Sequence, residues 1–92
     1  MFVFPDDAAW DEAREAVTFT VELGEYRGTC VVPRRVFHDL IGRRPTPEAC
    51  VEHFHLQRTQ FERIVEAKIT ARELEEDASV LVTTRDVRRF RR

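Results

Sequence analysis

The sequence predicts an α+β domain, in which an antiparallel sheet of about four strands carries one long helix and one or two short helices on one face. Three observations support this fold class: a hairpin pattern early in the chain, a long apolar stripe at helical spacing in the middle, and a β-branched segment after it. The predicted order is β-β-β-α-α-β-α. The 92 residues are expected to fold as a single domain over residues 1–92.

The hairpin is the clearest local pattern. Residues 16–23, AVTFTVEL, alternate apolar and polar side chains with the period of two that is typical of a half-buried strand. Residues 24–28, GEYRG, contain two glycines and predict the connection, and residues 29–33, TCVVP, predict the second arm. Pro33 ends this arm, because proline lacks the backbone N–H that a strand ladder needs.

The segment before the hairpin predicts two short elements. Residues 2–4, FVF, form an apolar run ended by Pro5, which suits an edge strand. Residues 8–14, AAWDEAR, predict a brief helical turn capped by Asp7. We expect Trp10 to pack back on the core, since so large a ring is seldom wholly exposed.

The helices are predicted from their end residues and their periodicity. Residues 33–42 begin with proline and end with glycine, as helices tend to do. Thr46 is the predicted cap of the longest helix, whose apolar stripe continues to about Arg72. A β-branched strand over residues 79–84 and a last turn of helix through Phe90 complete the chain.

Four segments of the chain together resemble a known family. In order, they are FPDDAAWDEAREAVTF, GTCVVPRRVFHDL, FHLQRTQFERIVEAKI and SVLVTTRDV. They are similar to the domain-of-unknown-function family 1488, small bacterial proteins with no assigned activity, whose pattern is matched here by Asp11, Cys30, Phe54 and Arg58. The resemblance covers about residues 2–87. It implies an α+β fold and supplies no catalytic residue.

Arg58 is a charged residue inside the apolar stripe of the long helix, one turn from both Phe54 and Phe61. A lone charge in an apolar core is strongly unfavourable, so a partner is expected. In one interpretation its guanidinium is paired within the chain, with Glu62 at i+4 or with Asp11 or Asp7 from the acidic N-terminal segment. Alternatively, the side chain reaches water or binds an anionic ligand in a cleft. The sequence leaves these three interpretations open.

The remaining titratable side chains predict no metal, no cofactor and no catalytic residue. His53 and His55 are two positions apart, so on a helix their rings point in different directions and do not share an ion. Cys30 and Cys50 are expected to be buried small residues, with His38 as a partner only if the fold brings it near.

The charge is unevenly distributed, although the net charge is only −2. Residues 1–26 hold seven acids and one base, whereas residues 85–92 hold five arginines and one aspartate. Residues 88–92 form a basic C-terminal tail in which arginines flank a phenylalanine, as in single-strand binders. The candidate nucleic-acid contacts are Arg88, Arg89, Arg91 and Arg92. Nucleic acid is still the less favoured partner, because the domain is acidic overall.

The favoured interpretation is a small bacterial protein of unknown function that acts without catalysis, as an adaptor or regulator that binds a protein partner. Nucleic-acid binding through the tail, and a small enzyme or anion-binding domain built on Arg58, are the alternatives. Homodimerisation through a sheet edge or the helix stays open. The chain has no leader pattern and no apolar run long enough for a membrane span, so we expect a cytoplasmic protein with reduced thiols.

Overall fold

This computed structural model describes residues 1–90. Within them the chain forms five strands and four helices. The strands are β1 (Phe2–Val3), β2 (Ala9–Asp11), β3 (Ala16–Leu23), β4 (Tyr26–Pro33) and β5 (Val80–Leu81). The helices are α1 (Arg34–Ile41), α2 (Pro47–Leu56), α3 (Arg58–Thr70) and α4 (Thr84–Phe90). The predicted α+β class is confirmed. The sheet has one strand more than expected, and one of its pairings, β4 with β5, is parallel.

Strand β3 is the centre of the sheet, because β4 pairs along one of its edges and both β1 and β2 pair along the other. On that second edge, β1 lies opposite residues 22–23 and β2 lies opposite residues 16–18. Thr20 falls in the gap between them. Its backbone N–H donates to Asp7 Oδ1 at 3.0 Å, and its hydroxyl donates to Asp7 Oδ2. The Asp7 carboxylate therefore takes the place of a strand partner for Thr20.

The helical turn predicted over residues 8–14 is wrong, because residues 9–11 form β2. Trp10 lies opposite Val17 in the antiparallel ladder, and a turn over residues 12–15 leads into β3. The Asp7 carboxylate is occupied by Thr20 and so does not cap a helix. Pairing with a long, half-buried strand outweighs the weak local preference for a helical turn.

The β3–β4 hairpin confirms the strand predicted over residues 16–23 but has a shorter connection than predicted. Leu23 lies opposite Tyr26, so Gly24 and Glu25 alone make the turn. Gly24 has a φ of 59°, a left-handed conformation that glycine adopts at little cost and that tight hairpin turns need. Residues 26–28, predicted as loop, instead extend β4.

The extended start of β4 depends on a close contact between Tyr26 and Gly28. The two residues lie on the same face of the strand, and the Tyr26 hydroxyl donates to the backbone carbonyl of Ala78 at 2.7 Å. A Cβ atom added to Gly28 would lie 2.1 Å from the Tyr26 hydroxyl oxygen. Glycine leaves space here for the tyrosine ring to cross the strand and to tie β4 to the segment before β5.

The ends of α1 and the start of α2 are as predicted. Pro33 precedes α1, and Gly42 ends it with a φ of 91° and a backbone N–H that donates to the carbonyl of His38 at 2.8 Å. Thr46 caps α2, since its hydroxyl accepts a hydrogen bond from the Ala49 N–H at 3.1 Å.

The single long helix predicted from Pro47 to about Arg72 is wrong, because the chain forms two helices that meet at Gln57. Gln57 has φ −115° and ψ 24°, outside the helical region. Its N–H donates to the carbonyls of both His53 and Phe54, which keeps the interruption hydrogen-bonded. Neither proline nor glycine marks this break, so no local residue predicts it.

The core lies between one face of the sheet and the helices. Phenylalanine rings form its centre: Phe19 and Phe54 are 4.7 Å apart between centroids, Phe54 and Phe61 are 5.4 Å apart, and Phe61 and Phe37 are 5.7 Å apart. All four rings are buried. The aliphatic residues that surround them are Val17, Val21, Val32, Val36, Ile64, Val65, Val80, Val82 and Val87.

Strand β5 is shorter than the predicted strand over residues 79–84 and runs parallel to β4. The connection between the two strands passes through three helices, a crossover that allows the parallel direction. After β5, the Thr83 hydroxyl accepts the Asp86 N–H at 3.1 Å, and Asp86 accepts the Thr83 N–H at 2.9 Å. These reciprocal bonds form a capping box at the start of α4.

A buried ion pair joins α3 to this capping box. Lys68 Nζ lies 2.6 Å from Asp86 Oδ2 and donates to the carbonyl of Leu81 at 2.8 Å. The side chains of Lys68 and Asp86 are only 12% and 6% exposed. Burial acts to raise the pKa of Asp86, but hydrogen bonds from Lys68 and Thr83 outweigh it and hold that pKa below its usual value. The pair thus fastens α3, β5 and α4 together.

Candidate functional site

A groove between α2 and β2 has a volume of about 710 Å³ and a largely apolar surface. Two rows of α2 residues at four-residue spacing line one side of it, and Trp10 and Glu12 line the other. The rows are Pro47, Val51 and His55, and Glu48, Glu52 and Leu56. Leu56 is 73% exposed, so the groove presents a large apolar side chain to water.

Trp10 is held in place on the wall of this groove. Its indole N–H donates to Glu12 Oε1 at 2.9 Å, and the Arg34 guanidinium lies over the ring at 5.0 Å from the centroid. Its backbone is fixed by pairing with Val17 in the sheet. A tryptophan that is already ordered loses little conformational entropy when a partner covers it, so it can act as an anchor for binding.

The rim of the groove is acidic. Glu12, Glu48 and Glu52 are exposed, and none of them belongs to an ion pair among residues 1–90. Among residues 1–90, His55 is the one basic-type side chain that lines the groove, and its ring packs edge-on against Phe54 at 5.7 Å. The groove therefore combines an apolar floor with uncompensated negative charge.

Arg58 lies on α3 against the chain's first loop, and each nitrogen of its guanidinium has a protein acceptor. Nε donates to Glu62 at 2.7 Å, Nη1 to Asp6 at 3.0 Å, and Nη2 to the carbonyls of Phe4 and Pro5 at 3.4 and 3.3 Å. The hydrogen bonds to Glu62 and Asp6 raise the pKa of this guanidinium. Arg58 thus ties α3 to residues 4–6, and its donors are directed at protein rather than into a cleft.

The expected pair between Asp11 and Arg58 is wrong. Asp11 accepts from the Arg14 guanidinium at 2.8 Å and from the Arg14 backbone N–H at 3.1 Å, and the first of these bonds is the main cause of its lowered pKa. Because Asp11 ends β2, it faces the turn that follows rather than α3. Asp6, which the sequence did not single out, is the N-terminal acid that reaches Arg58.

The Arg58 contacts predict a specific pattern of coupling. Arg58→Met should lower the free energy of unfolding by roughly 1–2 kcal/mol, since charge-assisted bonds are lost at a site partly screened by water. Urea denaturation of single and double variants measures the effect. Arg58→Met and Glu62→Gln should be less than additive, whereas Arg58→Met and the control Asp11→Ala should be additive. Equal coupling of Arg58 to Asp11 and to Glu62 would contradict this arrangement.

The basic tail is described only in part. Arg88 donates to Asp39 on α1 at 2.8 Å, and Arg89 is exposed. Arg91 and Arg92 lie outside the described residues. Val87 is buried, whereas Phe90 is 39% exposed, so α4 docks through Val87.

The two cysteines lie in the core and are free. Burial raises the pKa of Cys30 to about 12 and also raises the pKa of Cys50, so neither forms a thiolate readily near neutral pH. His38, the candidate partner, is on the exposed side of α1. Among residues 1–90, no group of three metal-binding side chains is placed to hold an ion. In the same part of the chain, every helix is too short or too polar to cross a membrane.

Trp10 packs against the core as expected, and so does Val51, but both side chains are only partly buried and also line the groove, which the sequence did not indicate. A usable signal was present: acids at positions 48 and 52 share one side of α2 with Leu56, so that side could not be fully buried. The position of β2 was needed as well, because the groove exists only where β2 and its turn face α2.

Comparison with known proteins agrees with this fold. The family model described as "Protein of unknown function (DUF1488)" matches residues 3–82. The chain is also similar to a protein of unknown function from the DUF1488 family, from Shewanella loihica PV-4, whose crystal structure was determined at 1.60 Å resolution. The two sequences are 20% identical, and the structures superpose with a TM-score of 0.80 over 88% of this chain and 90% of that chain. No curated protein matches. The chain therefore belongs to the DUF1488 family, whose function is unknown.

Proposed function

We propose that this protein is a non-catalytic module that binds a short basic segment of a partner protein, with an apolar side chain as its anchor, in the groove between α2 and β2. The proposal rests chiefly on Leu56, which is 73% exposed opposite an ordered Trp10. It assigns no catalytic residue and no cofactor.

The apolar floor favours a side chain of the partner as anchor. Trp10, Val51 and Leu56 together offer an indole and two aliphatic groups within one hollow. Covering such a surface removes apolar area from water, and a rigid tryptophan at the centre is a common energetic hot spot. A large aromatic or aliphatic side chain fits this environment.

The rim favours positive charge beside that anchor. Glu12, Glu48 and Glu52 present three carboxylates around the floor. Arginine or lysine on either side of the anchor would complement them, whereas an acidic segment would be repelled. Contacts at an exposed rim mainly accelerate association and select the partner, so binding should weaken as salt is added.

We also propose a cytoplasmic location, which is supported by two thiols that remain free. Nucleic-acid binding through the tail is less favoured, because one of its described arginines, Arg88, is engaged by Asp39. An enzyme or anion site built on Arg58 is less favoured because that guanidinium already has protein acceptors.

Peptide titration tests the proposal, with Trp10 as the only tryptophan and therefore the reporter. The peptide RRFRR should change the emission and bind more tightly than RRARR or EEFEE. Leu56→Ser should weaken RRFRR binding by roughly tenfold, because a buried leucine contact is lost. The control Val3→Ser alters another exposed apolar residue, 51% exposed on β1, and should leave binding unchanged.

Charge variants distinguish an effect of the acidic rim from an effect of the protein's overall charge. Glu48→Gln with Glu52→Gln should weaken RRFRR binding, whereas Glu75→Gln with Glu76→Gln, an equal change of charge at exposed sites away from the groove, should not. Binding of RRFRR and EEFEE with equal affinity, or equal losses in the two double variants, would refute the proposal.

A second copy of the chain is the other candidate occupant that the titration must distinguish. Phe90 is 39% exposed and lies between arginines in the sequence. If a second copy fills the groove, the free protein should sediment as a dimer that Phe90→Ala and Leu56→Ser both dissociate. A monomer that binds RRFRR supports a separate partner protein.

A further inference from the structure

A second hollow, with a volume of about 230 Å³, lies at the start of α1 and is surrounded by arginines from three parts of the chain. The turn after β2 contributes Arg14 and Glu15, the helix contributes Arg34, Arg35 and His38, and the loop after α1 contributes Arg44. None of these six residues lines the groove between α2 and β2. Sequence reasoning did not identify this cluster, because its members are far apart along the chain.

Positive charge exceeds negative charge in this hollow. Glu15 is the carboxylate partner of two guanidinium groups. Its Oε1 lies 3.5 Å from Arg34 Nη1 and 3.9 Å from Arg44 Nη2, and both distances are too long for strong hydrogen bonds. Arg35 is exposed and has no ion pair among residues 1–90. Four arginines surround the hollow, and two acids offset them: Glu15, and Asp11, which pairs with Arg14 at 2.8 Å. About two positive charges therefore remain unbalanced.

Arg34 is the most firmly held arginine of this cluster. Its side chain is only 17% exposed, and its guanidinium is fixed over the Trp10 ring at 5.0 Å. Its Nε is buried without a hydrogen-bond partner in the described part of the chain. Because Nε is shielded from the surface, an anion in the adjacent hollow would be bound through the terminal nitrogens, of which Nη1 has only the long 3.5 Å contact with Glu15.

We propose that this hollow, formed by Arg34, Arg35 and Arg44, binds a phosphate monoester. Guanidinium groups match phosphate oxygens through paired hydrogen bonds, and a monoester near neutral pH carries close to two negative charges. That charge balances the local excess. Arg35 and Arg44 are both exposed, and Arg44 has only the long 3.9 Å contact with Glu15, so both side chains can close over the anion, whereas Arg34 is already in place.

A small anion fits this site better than a nucleic-acid chain does. The hollow, with its volume of about 230 Å³, has room for a phosphoryl group together with its ester substituent. The protein as a whole carries a net charge of −2, so a long polyanion would meet repulsion outside the basic cluster. A phosphate monoester interacts only with the local excess of positive charge.

Titration with methyl phosphate, and with dimethyl phosphate as the diester control, tests the site. Because Arg34 lies over Trp10, methyl phosphate should change tryptophan emission, and calorimetry should give the same affinity. Arg35→Gln with Arg44→Gln should weaken binding about 10- to 100-fold, as expected for lost charge-assisted hydrogen bonds. Arg63→Gln with Arg72→Gln, exposed residues outside the hollow, is the matched charge control and should bind like the unmodified protein.

Three outcomes would overturn the assignment: no binding of methyl phosphate, equal binding of dimethyl phosphate, or equal losses in the two double variants. A single-stranded oligonucleotide without a terminal phosphate is included in the same series. Tighter binding of that oligonucleotide, dependent on Arg35 and Arg44, would replace the monoester by a nucleic acid. The Leu56→Ser variant should bind methyl phosphate normally, so failure of the peptide groove and failure of this site can be told apart.

Discussion

Asp86→Ala is expected to lower the free energy of unfolding by about 3–5 kcal/mol, because it leaves Lys68 buried without a counter-ion. The ammonium of Lys68 lies 2.6 Å from the Asp86 carboxylate. The Lys68 side chain is only 12% exposed, so the ammonium is largely shielded from water. The same substitution removes the acceptor of the Thr83 N–H at the start of α4. Denaturation with urea measures the loss.

Two further variants separate charge from capping. Asp86→Asn retains an acceptor for Thr83 but removes the charge, so it should cost less than Asp86→Ala. Lys68→Met removes the buried ammonium, and in that background Asp86→Asn should cost much less than it does alone. Additive losses for Lys68→Met and Asp86→Asn would show that the two side chains do not form the pair described.

The Asp86 contribution should also depend on pH in a defined direction. The folded-state pKa of Asp86 is lowered, so its stabilisation is fully present above the ordinary aspartate value of about 3.9. It decreases as the pH falls below that value and is lost once the folded-state pKa is passed. The stability difference between the unmodified protein and Asp86→Ala should therefore shrink in acid and stay constant near neutral pH.

Gly28→Ala is expected to lower the free energy of unfolding by roughly 1–3 kcal/mol, the usual range for overpacking. The added Cβ would lie 2.1 Å from the Tyr26 hydroxyl oxygen, so the ring would have to leave its position across β4. Moving the ring also breaks the hydrogen bond to the Ala78 carbonyl. Thermal melts of Gly28→Ala and of Tyr26→Ala give the two single effects.

The double variant is the informative control for Gly28. When Tyr26 is already alanine, the ring atoms that lie nearest to the added Cβ are gone, and Gly28→Ala should then have little effect. A full loss for Gly28→Ala in the Tyr26→Ala background would mean that the tyrosine ring is not the reason for glycine at this position.

Elements with strong local signals were predictable from sequence. The period-two pattern of residues 16–23 is the whole of β3, and proline and glycine mark the ends of α1. Elements that depend on distant partners were not predictable. Strand β2 forms by pairing with residues 16–18 of β3. The helix is interrupted at Gln57, where the sequence has no proline or glycine to predict a break.

The charged contacts show the same division. Glu62 was a foreseeable partner for Arg58, because i+4 spacing on a helix is fixed by helix geometry. Asp6, which lies 52 positions away, was not foreseeable without the path of β1 and the following loop. The groove and the arginine cluster are likewise products of topology, since each joins side chains from separated segments.

Mapping amide chemical-shift changes during titration with RRFRR tests the central claim most directly. Binding in the groove predicts that the changes concentrate in residues 9–12 and 47–56, the two segments that line it. Changes that instead concentrate on α1, α4 or the β1 edge, or that spread evenly over the surface, would contradict the claim that this groove is the binding surface.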